Sequence, residues 1–322
     1  MLKKFKVSNF KSFEKDFELD LSQINGYEFN KGSVKNDIIN NALIYGHNGV
    51  GKSNLGLAIF DIIGHLTDKN INDELYLPYL NATNSEPLAH FVYEFTFETN
   101  TVIYEYKKQN VKTTLYERLV INGIELANID RKKSNRAKIN FEGAETLNKE
   151  LTNKDLSLIK YIKSNSQLKE NLENNVFFSF YNFLESMLFF RSLDHNMYLG
   201  LETGSGGIQE DIISKGNVKD LEIFLNNAGI KCKLKVAKEF DKEVIAFDFG
   251  NKSISFYQIA STGTKSLTLF YFWLQRLKEK SKVKFLFIDE FDAFYHHELS
   301  ALIVKELKKT NIQFILTSHN TS

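Results

Sequence analysis

The sequence predicts an α/β fold with a mixed core sheet, an antiparallel β subdomain and a helical insertion. Three observations carry this. Near the end of the chain the continuous apolar runs "KVKFLFID" and "IQFILTSH" flank the helical pattern "ELSALIVKELKK", as in a parallel sheet covered on both faces. Earlier, the glycine-rich turn "GHNGVGKS" joins the short apolar strand "NNALIYG" to "KSNLGLAIFDIIGHL", whose apolar residues fall at helical spacing. Between these regions, "HFVYEFTFE", "TVIYEYKK" and "YERLVING" alternate and are rich in aromatics, the mark of an antiparallel sheet.

In chain order, "KKFKVSNF" and "FELDL" alternate like the strands of a hairpin. From about Glu145 to Phe190 the pattern turns helical, with Leu147, Leu151, Leu158, Ile162, Leu168 and Leu172 at loose three-to-four spacing. The run "VFFSFYNFLESMLFF" (176–190) is too short to span a bilayer and contains Asn182 and Glu185, so it reads as a buried or partner-docking helix. "ETGSGG" (202–207) reads as a flexible break. A short helix around "VKDLEIFLNNAG", the strands "CKLKVAK", "EVIAFDFG" and "SISFYQI", and the helix "GTKSLTLFYFWLQRL" lead to the closing rhythm. The expected division is an N-terminal lobe over 1–144, a helical insertion over 145–207 and a C-terminal lobe over 208–322. The chain shows no internal repeat, low-complexity tract or sustained heptad pattern.

A length of 322 residues suits two domains or one large domain with an insertion. A formal net charge of +1 announces no global basic field for nucleic acid, although it leaves room for a local patch. The single cysteine, Cys232, excludes an internal disulfide framework and suits a reducing cytoplasm. "MLKKFKVSNFKSF" lacks an apolar signal core, so a cytoplasmic protein without a membrane segment is expected.

The chemistry begins at Gly46-His47-Asn48-Gly49-Val50-Gly51-Lys52-Ser53, which fits G-x-x-x-x-G-K-[ST] without a mismatch. Glycines let backbone N–H groups turn inward around phosphate oxygens, and the following helix adds its positive end. Lys52 is placed to contact the β- and γ-phosphates, the Ser53 hydroxyl to ligate Mg²⁺, and Asn54 completes the nucleotide-binding stretch. A carboxylate must complete such a site, and "KFLFIDEFD" offers Asp289 and Glu290 at the end of an apolar strand. Asp289 would hold Mg²⁺ through its water shell, and Glu290 would orient or deprotonate the attacking water. The two halves are separated by most of the chain, unlike compact GTPases and hexameric motors, and no N-K-x-D reads guanine, so ATP is the expected nucleotide. Just before the second half, "IASTGTKSL" places Ser261, Gly263 and Lys265 at a helix mouth, another anion site of hydroxyl and backbone amides. One nucleotide has no need of two such sites in one chain unless the second serves another copy. "ILTSHN" then puts His319 at a strand end suited to a γ-phosphate.

This order of phosphate cradle, serine-glycine signature, strand-DE and strand-histidine resembles the P-loop NTPases of ABC-ATPase head type found in SMC, RecN, RecF and OLD proteins. The opening "VSNFKSFEKDFELDL" is similar to the start of those heads, and stand-alone antiphage-defence ATPases of the RloA and PtuA kind resemble the chain most. The resemblance implies a homodimer, or higher homo-oligomer, joined through its ATP sites. Gly46 to Ser53 would bind ATP, and Ser261 and Gly263 would cap the γ-phosphate held by the second subunit. Asp289 and Glu290 would serve metal and water, His319 would be the switch histidine, and catalysis would fall to Glu290, Lys52 and His319. "FDAFYHH" (291–297) would occupy the D-loop region. Thr262 stands where these heads carry a glycine, and a threonine tolerates positive φ poorly. Neither Gln109 nor Gln167 is well situated for the glutamine loop. The chain stops three residues after His319, before any further strand or helix.

The smaller hints read blandly. His296 and His297 diverge as neighbours on a helix, "KKFK" and "RKKSNR" (131–136) read as solvated charge, and "RSLDH" (191–195) has the wrong spacing for a ribonuclease motif. "N-A-T" and "N-T-S" match a glycosylation pattern that has no meaning in a cytosolic chain. The resemblance implies that Lys11 could reach the nucleotide, as basic residues do there in related heads. The expected function is a slow ATPase that dimerises with ATP and controls a separate effector, a nuclease or toxin. The alternative is a RecF- or SMC-like DNA-binding ATPase of repair or recombination.

Overall fold

The computed structural model describes residues 1–26, 28, 30–69, 72–191, 197–201, 207–240, 242–278, 283–292 and 297–319. The described residues begin with β1 (Leu2–Ser8), β2 (Phe17–Asp20), the short pair β3 (Val34–Lys35) and β4 (Ile38–Ile39), β5 (Asn41–Tyr45) and α1 (Lys52–Leu66). Next come β6 (Ala89–Phe97), β7 (Asn100–Lys108), β8 (Thr114–Ile121), β9 (Ile124–Asp130), β10 (Lys138–Ile139), α2 (Leu158–Asn165) and α3 (Leu172–Glu185). β11 (Met187–Arg191), β12 (Met197–Gly200), α4 (Ile208–Ser214), α5 (Val218–Asn227), β13 (Leu234–Glu239), β14 (Lys242–Asp248) and β15 (Ser253–Ser255) follow. The last elements are α6 (Phe256–Ile259), α7 (Thr262–Lys278), β16 (Phe285–Asp289), α8 (His297–Lys308) and β17 (Gln313–Ser318).

Period-two alternation builds the first sheet. Phe5 and Val7 of β1 turn inward, while Lys4 and Lys6 point outward and pair across the strand with Asp20 and Glu18; a register shift between Leu2 and Lys4 turns Leu2 inward as well. This antiparallel sheet runs β10-β9-β8-β7-β6-β1-β2. The core sheet runs β12-β11-β16-β17-β5, with β11, β16, β17 and β5 parallel and β12 antiparallel at the edge. Its central strands are apolar on both faces because both are covered. Phe285 and Phe287 face the core that holds α1 and α3, whereas Leu286 and Ile288 face the core that holds α5 and α7.

Helix α1 lies between the two sheets and is buried on nearly every side, as a helix apolar all round must be. On one side Phe60 packs on Phe189 with ring centroids 5.3 Å apart; on the other, the Ala58 carbonyl accepts a hydrogen bond from Tyr93 Oη at 2.9 Å. α3 shares this layer, with Phe183 between Phe95 and Phe285. Close approach of α1 depends on Gly56, where a Cβ would lie 2.7 Å from Phe189 Cζ and 2.8 Å from Phe287 Cε1. Those two rings are locked edge to face at 5.2 Å, so neither has room to yield. Gly56→Val is expected to destabilise the protein by about 1–3 kcal/mol through overpacking, read as a lower urea midpoint.

The structure corrects the end of the helical pattern read over 145–190. α2 and α3 form there, but the apolar run 176–190 is divided: the helix ends at Glu185 and "MLFFR" becomes β11. A uniformly apolar run has no periodicity to show the break. The Ser186 hydroxyl donates to the Phe183 carbonyl at 2.6 Å, closing the helix, and β16 offers the emerging chain a parallel partner. β9 and β12 add strands that the pattern of the sequence does not mark. Residues 202–206 of the expected break lie outside the described residues.

Candidate nucleotide site

Three parallel strands deliver the candidate residues to one edge of the core sheet. Ser318 of β17 stands opposite Tyr45 of β5, and Ile288 of β16 stands opposite Leu316 of β17. The Gly46 amide donates to the Ser318 carbonyl at 3.2 Å, which joins the loop after β5 to the residue before His319. Gly46, His319 and Asp289 with Glu290 therefore leave neighbouring strand ends, the usual position for a ligand in an open α/β sheet.

The loop from Gly46 to Gly51 has glycines at its two left-handed positions, Gly49 (φ 84°) and Gly51 (φ 101°). Gly51 is the N-cap of α1, whose N-terminus supplies backbone donors and a positive dipole end. His47, Asn48, Gly49 and Val50 are exposed, while Lys52 is buried with its Nζ donating to the carbonyls of Gly46 at 2.5 Å and His47 at 2.9 Å. Ser53 starts the helix beside it. Asn54 Nδ2 donates to Ser12 Oγ at 3.0 Å, and a Cβ on Gly51 would come within 2.7 Å of that same oxygen. The loop after β1 is thus packed on the phosphate loop through Ser12. Lys11 next to it donates from Nζ to the Leu77 carbonyl at 3.2 Å.

At the end of β16, Asp289 is buried and accepts from Thr317 Oγ1 at 2.8 Å. Glu290 takes a left-handed backbone (φ 47°), and its amide donates to the same Thr317 oxygen at 2.7 Å. Burial pushes the Glu290 carboxyl above the ordinary glutamate value; the Asp289 and Asp292 charges push the same way, and His319 and Lys52 oppose them. One carboxylate therefore feels Lys52, Asp289 and His319 together. Asp292 accepts from Ser318 Oγ at 2.5 Å. Ser53 and Asp289 offer hard oxygen donors, and no group of three or more His, Cys, Asp or Glu among the described residues could hold a metal by itself. That donor set suits Mg²⁺, which binds through one or two protein oxygens plus phosphates and water, and does not suit zinc.

Ser261 and Gly263 stand elsewhere. α7 covers the face of the core sheet opposite α1, and Ser261 at its mouth is exposed. Its hydroxyl caps the helix, accepting from the Thr264 amide at 3.2 Å and meeting Thr264 Oγ1 at 2.9 Å. Neither Thr262 nor Gly263 has a positive φ, so threonine costs no strain in the signature. Gln109 lies in the turn after β7 and Gln167 between α2 and α3, away from the site edge. The strand at that edge beside β16 is β11, with Arg191 level with Asp289. Sequence reasoning missed Ser12, Thr317 and Asp292; for Thr317 the available signal was a hydroxyl inside an apolar strand. Of the D-loop stretch, residues 293–296 lie outside the described ones, as do 192–196 of "RSLDH", His296 of the histidine pair and 320–322 of "N-T-S".

A glycine-rich loop between strand and helix, an acidic pair on the second strand over, and a histidine-bearing strand between them define a P-loop NTPase of ABC-ATPase head type, an ATP-binding ATPase head. The chain belongs to the family described as "AAA domain, putative AbiEii toxin, Type IV TA system", which matches residues 42–322. Comparison with curated proteins gives no match. Among solved structures the chain is similar to an SMC head bound to the C-winged helix domain of ScpA, at 16% identity over 99% of this chain and 90% of that one, TM-score 0.47. It is similar to the SMC head domain from Thermotoga maritima at 17% identity over 99% and 89%, TM-score 0.41. It is also similar to the recombination mediator RecF with ATP at 14% identity over 100% and 94%, TM-score 0.43. No helix among the described residues is long and apolar enough to cross a membrane.

Proposed function

We propose that this chain hydrolyses ATP as a switch that dimerises when ATP is bound, and that the dimer controls a separate effector, a nuclease or toxin, in bacterial antiphage defence. The observation that carries this reading is the split of the site. Lys52, Asp289, Glu290 and His319 gather at one sheet edge, whereas Ser261 and Gly263 open at a helix mouth across the sheet from α1. Such a signature suits a triphosphate held by another copy. Lys52 exchanges its loop carbonyls for phosphate oxygens, Glu290 orients the attacking water and takes its proton, and His319 contacts the γ-phosphate. Ser53 and Asp289 would hold Mg²⁺, which neutralises charge on the phosphates when bound. The family's description names a type IV TA system, which fits a role linked to a second protein, and the exposed Leu172 and Phe178 of α3 fit a docking surface for that effector.

ATP at a hundredfold excess over Kd shifts such an equilibrium by about 2.7 kcal/mol, enough to make a weak dimer dominant. Native mass measurement tests the reading. Glu290→Gln with ATP is expected at twice its ATP-free mass, and Lys52→Ala with ATP at the monomer mass; equal masses for the two variants would refute the switch. The alternative, a DNA-binding ATPase of repair or recombination, shares the same ATP site and predicts an ATP-dependent gel shift that weakens steeply with salt. The two basic runs lend it little: Lys4 and Lys6 are paired with acids, and buried Arg131 donates to the carbonyls of Thr114 and Leu156.

A further inference from the structure

Strand β17 ends in two hydroxyl residues, Thr317 and Ser318, immediately before His319. Thr317 has no exposed surface, and a hydroxyl buried in a core strand must find partners. It finds them all in one turn. Oγ1 donates to Asp289 Oδ1 at 2.8 Å and accepts from the Glu290 amide at 2.7 Å, and the Thr317 carbonyl accepts from the Phe291 amide at 3.1 Å. One residue thereby holds three consecutive residues at the exit of β16. The middle one needs holding, because at φ 47° Glu290 occupies a region that side chains with a Cβ rarely adopt.

We propose that Thr317 is a positioning residue for ATP hydrolysis: its hydroxyl orients Asp289 and secures the left-handed turn at Glu290, fixing the two carboxylates relative to each other. This rests on the ATPase reading of the site. The hydroxyl must donate to one residue and accept from the next, so an isosteric methyl fills the same space and does neither. A residue that served only to fill the core would tolerate valine, and a residue that positions the carboxylates would not.

The test compares wild type with Thr317→Val, Thr317→Ser and Thr317→Ala in steady-state ATP turnover, direct binding of a fluorescent ATP analogue and thermal melting. Thr317→Val is expected to lower kcat by about 10–100-fold, the usual loss when an outer partner of a metal-site ligand is removed. KM and analogue binding are expected to stay within about twofold, because the loss falls on the chemical step. Thr317→Ser is expected to keep kcat within about threefold of wild type, since it retains the oxygen. Serine and alanine both remove the methyl and differ only in the hydroxyl, so that pair decides the matter even if the valine variant fails to fold. Valine turning over like wild type, serine and alanine behaving alike, or a loss carried by binding and not by kcat would each overturn the assignment. Wild-type protein that binds no ATP and releases no phosphate would overturn the ATPase reading and this inference with it. An active wild type beside an equally active Thr317→Val would sink this inference alone.

Discussion

Replacing Glu290 with glutamine is expected to cut ATP turnover by about 10²- to 10⁴-fold while ATP binding persists, the range for losing a positioned general base. Glutamine keeps the shape of the side chain and cannot take the proton, and Lys52 and the loop that meet the phosphates are untouched. The pH dependence follows from the same environment. Burial, reinforced by the Asp289 charge, raises the Glu290 carboxyl above its ordinary value of 4.5, so wild-type kcat should fall with acidification at a pH higher than an ordinary glutamate would give. The stability consequence has a definite sign. A carboxyl whose folded value is raised contributes stability at low pH and loses that contribution as the pH rises through the raised value. Above that raised value the ionised Glu290 is therefore a burden, and there the glutamine variant is expected to melt above wild type. That advantage should vanish in acid, where Glu290 is protonated. A variant that turns over like wild type, or an acid limb at the ordinary glutamate value, would remove Glu290 from the role of base.

How much of this was legible in the sequence depended on whether a residue acts through its neighbours in the chain or through contacts across the fold. The phosphate loop was fully legible, because glycine spacing, strand and helix are all local to residues 41–66. The doubly covered strands β16 and β17 were legible as apolar runs for the same reason. The strand β11 was not, because "VFFSFYNFLESMLFF" is greasy throughout and the helix stop depends on a serine hydroxyl and on a partner strand a hundred residues away. Ser12, Thr317 and Asp292 matter through contacts distant in sequence, and nothing next to them marks the partner. Thr262 shows the converse: the family pattern warned of strain, and the helix simply begins there at an ordinary φ.

The largest stability effect is expected far from the phosphates, at Lys108. Its Nζ donates to both oxygens of Asp61, at 3.2 and 3.0 Å, and both side chains are 2% exposed. Tyr79 and Tyr106 also donate to that carboxylate, at 3.0 and 2.9 Å. Burial, with the Asp61 charge behind it, holds both phenols well above the ordinary tyrosine value, so they remain donors across the accessible pH range. Lys108→Met removes the cation and leaves the carboxylate buried, a change that costs about 3–5 kcal/mol in comparable pairs. The two phenols retain part of the solvation, which places the expected loss toward the lower end, measured by urea unfolding. The paired variant Asp61→Leu with Lys108→Met should recover most of it, because the desolvation penalty disappears along with the attraction. What makes this pair informative is α1, which carries Lys52 at its start and Asp61 further along the same rigid helix. If the antiparallel sheet merely supports α1, Lys108→Met should unfold more easily yet hydrolyse ATP normally per folded molecule. A fall in turnover at temperatures where the variant is still folded would instead mean that this sheet sets the position of Lys52, making it part of the switch.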